Sequence, residues 1–317
     1  MTQPLSRTQR AALSMLTAWM GEHFFRTFRR ADPAEEDPAP FDALLSQRGR
    51  RVGVTVGLLW EEDPLPGADS LERLVSSEVG DDGGGYALWA PPRAPLPLDE
   101  PKRSEFRLLI ANGLSGLAAG ERREVRLPVR LRLAKIDDEG AYVSVTGGLA
   151  TLWARISEGV RGAYHLDSRA IFRTSEESAE LDIVLARIRD RAEMLNVEEV
   201  TEVAVHDYWL VSRLTDDDPA GLTVIGAPPT TDPADGTSVR RLLRHHVRRA
   251  VEQRAAGECD FAVLLLVGAL AHIQDELATA ALRGMSPAAY SPLDLIALAA
   301  DGRIRQMLQP RSLPWEA

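Results

Sequence analysis

The sequence predicts an α/β or α+β fold, a mixed sheet with packed helices and a mainly helical C-terminal part. Three observations carry that expectation. Residues 124–135 alternate Val125, Leu127, Val129, Leu131 and Leu133 with arginines at 126, 130 and 132, the period of a half-exposed strand. Residues 177–196 place Leu181, Val184, Leu185, Ile188, Ala192 and Leu195 on one helical face. Such strands and helices alternate along the first 226 residues, and from Ser238 onward the apolar pattern turns helical.

Element by element, Leu13, Leu16, Met20 and Phe24 recur at helical spacing and predict an amphipathic first helix from about Ser6 to Arg29. Arg51 to Trp60 reads as a buried strand through Val52, Val54 and Val56, and Ser70 to Val79 as a helix ended by the Gly83-Gly84-Gly85 turn. Tyr86 to Trp89 is a short strand. Phe106, Leu109, Ile110 and Leu114 share a face of a helix over 104–119. After the alternating strand, the Asp137-Asp138-Glu139-Gly140 turn and residues 141–146 predict a hairpin. Helices follow over 149–160 and 177–196, then strands over 200–205 and 222–225. Thr237 or Ser238 caps a helix running to Ala256, where Gly257 stops it. Asp260 then opens a long apolar helix to Arg283, buried on every face, and Ser291, Pro292 and Asp294 start another.

Three stretches rich in Pro, Gly and Asp, at 32–40, 90–101 and 215–236, break the chain, because proline lacks a donor and biases its predecessor away from helix. They divide it into an N-terminal α/β unit (1–100), a central α/β unit (101–226) and a helical C-terminal part (238–317) that forms either its own body or one with the central unit. A length of 317 residues fits more than one core.

Composition excludes more than it implies. Lys102 and Lys135 are the only lysines among 37 basic residues. Phosphate-loop ATPases, Schiff-base enzymes and kinases each need a positioned ammonium, and neither lysine lies in a motif that supplies one. The richness in Arg, Ala, Gly and Pro is that of a GC-rich, bacterial-type coding composition. A net charge of −10 argues against whole-surface attraction to nucleic acid or anionic membrane, so any such contact is regional. The single cysteine, Cys259, forms no intramolecular disulfide and fits a reducing, cytoplasmic setting. The longest apolar run, 261–271, falls short of the roughly 20 residues that span a bilayer. No membrane partner is expected.

Gly-x-Ser-x-Gly and His-Glu-x-x-His are both absent. The glycines at 83 to 85 stand beside Asp81 and Asp82, whose charge opposes phosphate. The principal binding feature is the basic helix, where Arg240, Arg244 and Arg248 form one stripe and Arg241, His245 and Arg249 its neighbour. Such a surface holds nucleic-acid phosphates or an acidic protein partner; without interleaved aromatics it does not stack bases. No cofactor is expected for that role. Alternatively, His165 and Asp167 with His206 and Asp207 would suffice for a divalent metal and a hydrolase, if the fold brought them together. Trp315, in the tail Leu313-Pro314-Trp315, is an assembly anchor if no core receives it, which suits a structural subunit.

Glu22, Asp42 and the strand over 52–56 resemble, in order and spacing, the start of restriction-endonuclease-like folds. Those place an acid on a first helix, an aspartate before or on a strand, and acid-x-lysine on the next strand to hold Mg²⁺. Around Val54-Thr55-Val56-Gly57 there is neither acid nor lysine. The resemblance therefore implies a copy without nuclease activity. The reading that unites these features is a non-catalytic accessory protein that works by binding.

Overall fold

The computed structural model describes residues 4–31, 40–61, 65–79, 84–215, 218–232, 234–274 and 276–313. In chain order its elements are α1 (Arg7–Phe24), β1 (Arg29–Arg30), β2 (Ala43–Gln47), β3 (Arg50–Leu58), α2 (Ala68–Val79), β4 (Gly85–Trp89) and α3 (Lys102–Leu114). There follow β5 (Arg122–Asp137), β6 (Ala141–Gly147), α4 (Trp153–Ser157), β7 (Gly162–Ser168), α5 (Ser178–Glu193) and β8 (Val200–Arg213). The chain ends with β9 (Gly221–Ile225), α6 (Gly236–Ala256), β10 (Phe261–Val267), α7 (Leu270–Gln274), α8 (Leu277–Arg283), β11 (Leu295–Ala300) and β12 (Arg303–Leu308). An α/β or α+β fold with mixed sheets is therefore what this sequence forms.

Two compact units result. Residues 1–123 and 210–317 make the first, and residues 124–209 the second. These bounds differ from the composition breaks near 100, 226 and 238, because the last third of the chain returns to the first.

The first unit is built on a sheet of order β1-β2-β3-β10-β11-β12. The central strands β3, β10 and β11 are parallel, with Val54 opposite Val263 and Val263 opposite Leu295. Strands β2 and β12 run antiparallel to their neighbours. Val263, Leu265 and Val267 face α1 and its Leu13, Leu16 and Met20. Their alternates Ala262, Leu264 and Leu266 face Leu243 and Val247 of α6 and Leu282 of α8. A strand covered on both faces needs an unbroken apolar run. That requirement corrects the expected helix from Asp260 to Arg283. Residues 261–267 are apolar on every face because they form the middle of a parallel sheet, and only residues 270–283 contain the helices α7 and α8. The helix expected after Ser291 is likewise strand β11, buried at every position.

On the same unit, β4 pairs parallel with β9 and antiparallel with residues 210–213 of β8. The outer edge of β9 is blunted by α2. Glu72 accepts the Val224 N–H at 2.8 Å, and the Ser76 hydroxyl accepts that of Leu222 at 2.9 Å. Burial raises the Glu72 pKa against that bond and the nearby Arg7 guanidinium.

In the second unit the order is β6-β7-β5-β8. Leu131, Leu133, Tyr164, Leu166, Val203 and Val205 pack against Val184, Leu185 and Ile188 of α5. The Tyr164 hydroxyl donates to the Ala192 carbonyl at 2.9 Å. The hairpin expected from β5 and β6 does not form. The more buried β7 lies between them, antiparallel to β5 and parallel to β6, and β6 is left at the edge. The helix expected over 149–160 is a 3-10 turn, Ala150–Leu152, followed by α4.

Candidate binding site on the basic helix

Helix α6 starts where Asp235 accepts the N–H groups of Thr237 and Ser238, two residues before the first of the expected caps, and stops at Gly257. The Ser238 hydroxyl, donating at 2.7 Å, is the main cause that lowers the Asp235 pKa. Val239, Leu243, Val247 and Ala250 are buried and fix the rotation of the helix. The two predicted stripes then part in character.

The stripe beside β3 is consumed internally. Arg249 donates to the Asp42 carboxylate at 2.5 Å and to the Val56 carbonyl at 2.7 Å. Asp42 also accepts the Val56 N–H at 2.7 Å and a longer bond from Gln253, whose carbonyl oxygen accepts from the Thr55 hydroxyl. The Asp42 side chain is 9% exposed, so this carboxylate is a buried strut between β3 and α6. Arg241 pairs with Glu61 at 2.7 Å. His245 is exposed, its ring centroid 5.3 Å from that of His246.

His246 was not among the expected binding residues. Its Nε2 lies 2.7 Å from the Leu58 carbonyl, which can only accept, so Nε2 carries the proton. Nδ1 has no hydrogen-bond partner, and burial, with Arg249 and His245 adding, holds the imidazole pKa down at about 4. The ring is therefore neutral. It rests on Gly57, where a Cβ would overlap it. His246, Arg249 and Gln253 recur at i, i+3 and i+7, and that helical spacing of polar groups was the available signal for a polar stripe turned inward.

The other stripe is free. Arg240, Arg244 and Arg248 are exposed, and among the described residues no carboxylate forms an ion pair with Arg244 or Arg248. These two guanidinium groups border a groove of about 580 Å³ between α6 and the segment after α8. Val247, Val251, Met285 and Ala289 give it apolar walls, and Glu252 and Ser286 also line it. Arginines one helical turn apart over such a groove can hold two carboxylates bidentately while an apolar side chain enters between them.

The metal candidates occupy strands of the second unit, not loops at strand ends. His165 and Asp167 lie on β7, His206 and Asp207 within β8, and β5 runs between those two strands. Asp167 is gripped by Arg169 at 2.5 to 3.1 Å, which lowers its pKa to about 2. Asp207 is buried and accepts the N–H groups of Phe172 and Arg173 and the Trp209 indole N–H at 2.8 to 2.9 Å. Burial raises its pKa, and burial with Arg126 and Arg187 lowers that of His206. Among the described residues no group of three or more His, Cys, Asp or Glu side chains is placed to hold a metal ion.

The remaining candidates are accounted for locally. Glu22 is exposed near the end of α1 and lines a shallow groove with Trp19 and Ile304. The order helix, aspartate, strand, next strand is present, but the places for acid-x-lysine hold Val54 and Val56, both fully buried. Lys135 bonds Asp138 at 2.6 Å, which raises its pKa and keeps it an ammonium; Lys102 opens α3. The Cys259 thiol is half-buried, and burial raises its pKa. Asp81, Asp82, Gly83 and Trp315 lie outside the described residues. No helix of the described residues is long and apolar enough to cross a membrane. Comparison of the chain with protein-family models, with curated proteins and with solved structures finds no match to any of them.

Proposed function

We propose that this protein works by binding rather than by chemistry, and that the groove beside Arg244 and Arg248 takes an acidic polypeptide segment bearing an apolar side chain. One observation carries the reading. In a chain with 47 acidic and 37 basic residues, these two arginines have no carboxylate partner among the described residues, while Arg241, Arg249 and Arg254 of the same helix are engaged internally. The apolar walls favour a polypeptide over a phosphate backbone, which would leave them uncovered and find no ring to stack on.

Fluorescence anisotropy tests it, with a labelled Glu- and Leu-containing peptide, a DNA duplex and a single-stranded DNA as ligands. The peptide is expected to bind, and the double variant Arg244→Glu, Arg248→Glu to lose at least ~10-fold in affinity. Tighter binding of either DNA, lost in the same variant, would assign the helix to nucleic acid. Failure of all three ligands would refute a binding role for this face.

A further inference from the structure

We infer that the acidic segment is a turn of the second unit in another copy of this chain, residues 193–199, so that the molecules join head to tail. This rests on the groove reading above and names its occupant. The second unit holds Ile136, Tyr142, Trp153, Ile183, Met194, Val197 and Val200, seven of the ten large hydrophobic side chains most exposed among the described residues. Met194 is 71% exposed, the highest of the seven. Such a concentration on 86 residues marks a contact surface.

The turn around Met194 is a built knob. Leu195 is buried beneath it, and its carbonyl accepts from the Lys135 ammonium at 3.0 Å. The Lys135 N–H donates to the Glu199 carbonyl and the Glu198 N–H to the Lys135 carbonyl, each at 3.0 Å. The Glu199 carboxylate closes the turn by accepting the backbone N–H and a side-chain N–H of Asn196, and Glu198 sits in the left-handed region at φ 66°. Little conformational freedom remains to be lost on docking. What the turn presents is Met194 and Val197 flanked by Glu193 and Glu198, exposed and without a bonded partner for either carboxylate among the described residues.

Knob and groove are complementary. An apolar side chain flanked by two free carboxylates matches an apolar groove that two free guanidinium groups border on one side. Met194 would enter beside Val247 and Met285, with Glu193 and Glu198 against Arg244 and Arg248. Because the two surfaces differ, the contact is heterologous, and molecules add head to tail until the assembly closes on itself.

Sedimentation velocity of the full-length chain over a concentration series tests this. Wild type is expected to self-associate as concentration rises. Arg244→Glu with Arg248→Glu, or Glu193→Arg with Glu198→Arg, should each weaken self-association on the order of 100-fold. Mixing the two double variants should restore association in one-to-one proportion, since the intact knob of one meets the intact groove of the other and the two reversed surfaces match as well. Combining all four changes in one chain should restore self-association. A wild type that stays monomeric, or a groove variant that assembles like wild type, overturns the inference. An acidic peptide that still binds monomeric wild type would leave the groove reading standing and remove only this occupant.

Discussion

At the scale of single residues, the dominant effect is how α6 distributes its polar groups. Arg249 and His246 are on one helix with Arg244 and Arg248, yet they are partly buried against β3, where charge and protonation carry a cost that the exposed pair does not meet. His246 makes this measurable. The unfolded chain takes up a proton there near pH 6.5, whereas the folded ring resists until about pH 4. Folding stability from this group is present above pH 6.5 and is lost as pH falls through that window, by about 3 kcal/mol. Urea unfolding at a series of pH values should show that slope, and His246→Gln, which can still donate to the Leu58 carbonyl, should flatten it. An unchanged slope would place the acid sensitivity elsewhere. Which arginines of the helix faced outward was partly legible in the sequence: the 240/244/248 stripe is exposed as spaced. That Arg249 faces inward depended on Asp42, some 200 residues earlier, and no local pattern announces so distant a partner.

At the scale of elements, periodicity worked best in long elements with one face toward water. The first helix, the alternating strand at 124–135, the helix at 177–196 and the basic helix were all legible for that reason. It failed at β10 and β11, whose residues are buried on both faces and so carry no period to read. It failed again at β6, since pairing order is set by which strand buries more surface and not by adjacency in sequence. The contact of α6 with β3 depends on one missing side chain. Gly57→Ala places a methyl into the His246 ring and should cost about 1–3 kcal/mol, with the helix displaced from the strand. Thermal unfolding together with the pH slope of His246 checks this. If the variant matches wild type in both, the close approach is unimportant.

At the scale of the whole molecule, each unit has its own apolar core, and among the described residues the core cluster around Leu131 and Ile188 is drawn from residues 124–209 alone. Ile188→Ala, which empties the centre of that core, should cost about 3 kcal/mol. Hydrogen exchange should then show reduced protection along β7 and α5, while the amides of β3 and β10 keep theirs. Loss spread evenly over both would show that the units open as one. The first unit's central pairing has a further consequence, for biosynthesis. Strand β3 lies against β10, so roughly 200 residues must follow β3 before this partner exists. At ribosomal rates of about 5–20 residues per second, the valines of β3 wait on the order of 10–40 s beside a growing chain. During that interval the nascent protein carries an open, apolar strand edge, and a chaperone able to cover one would govern how much of it reaches the folded state.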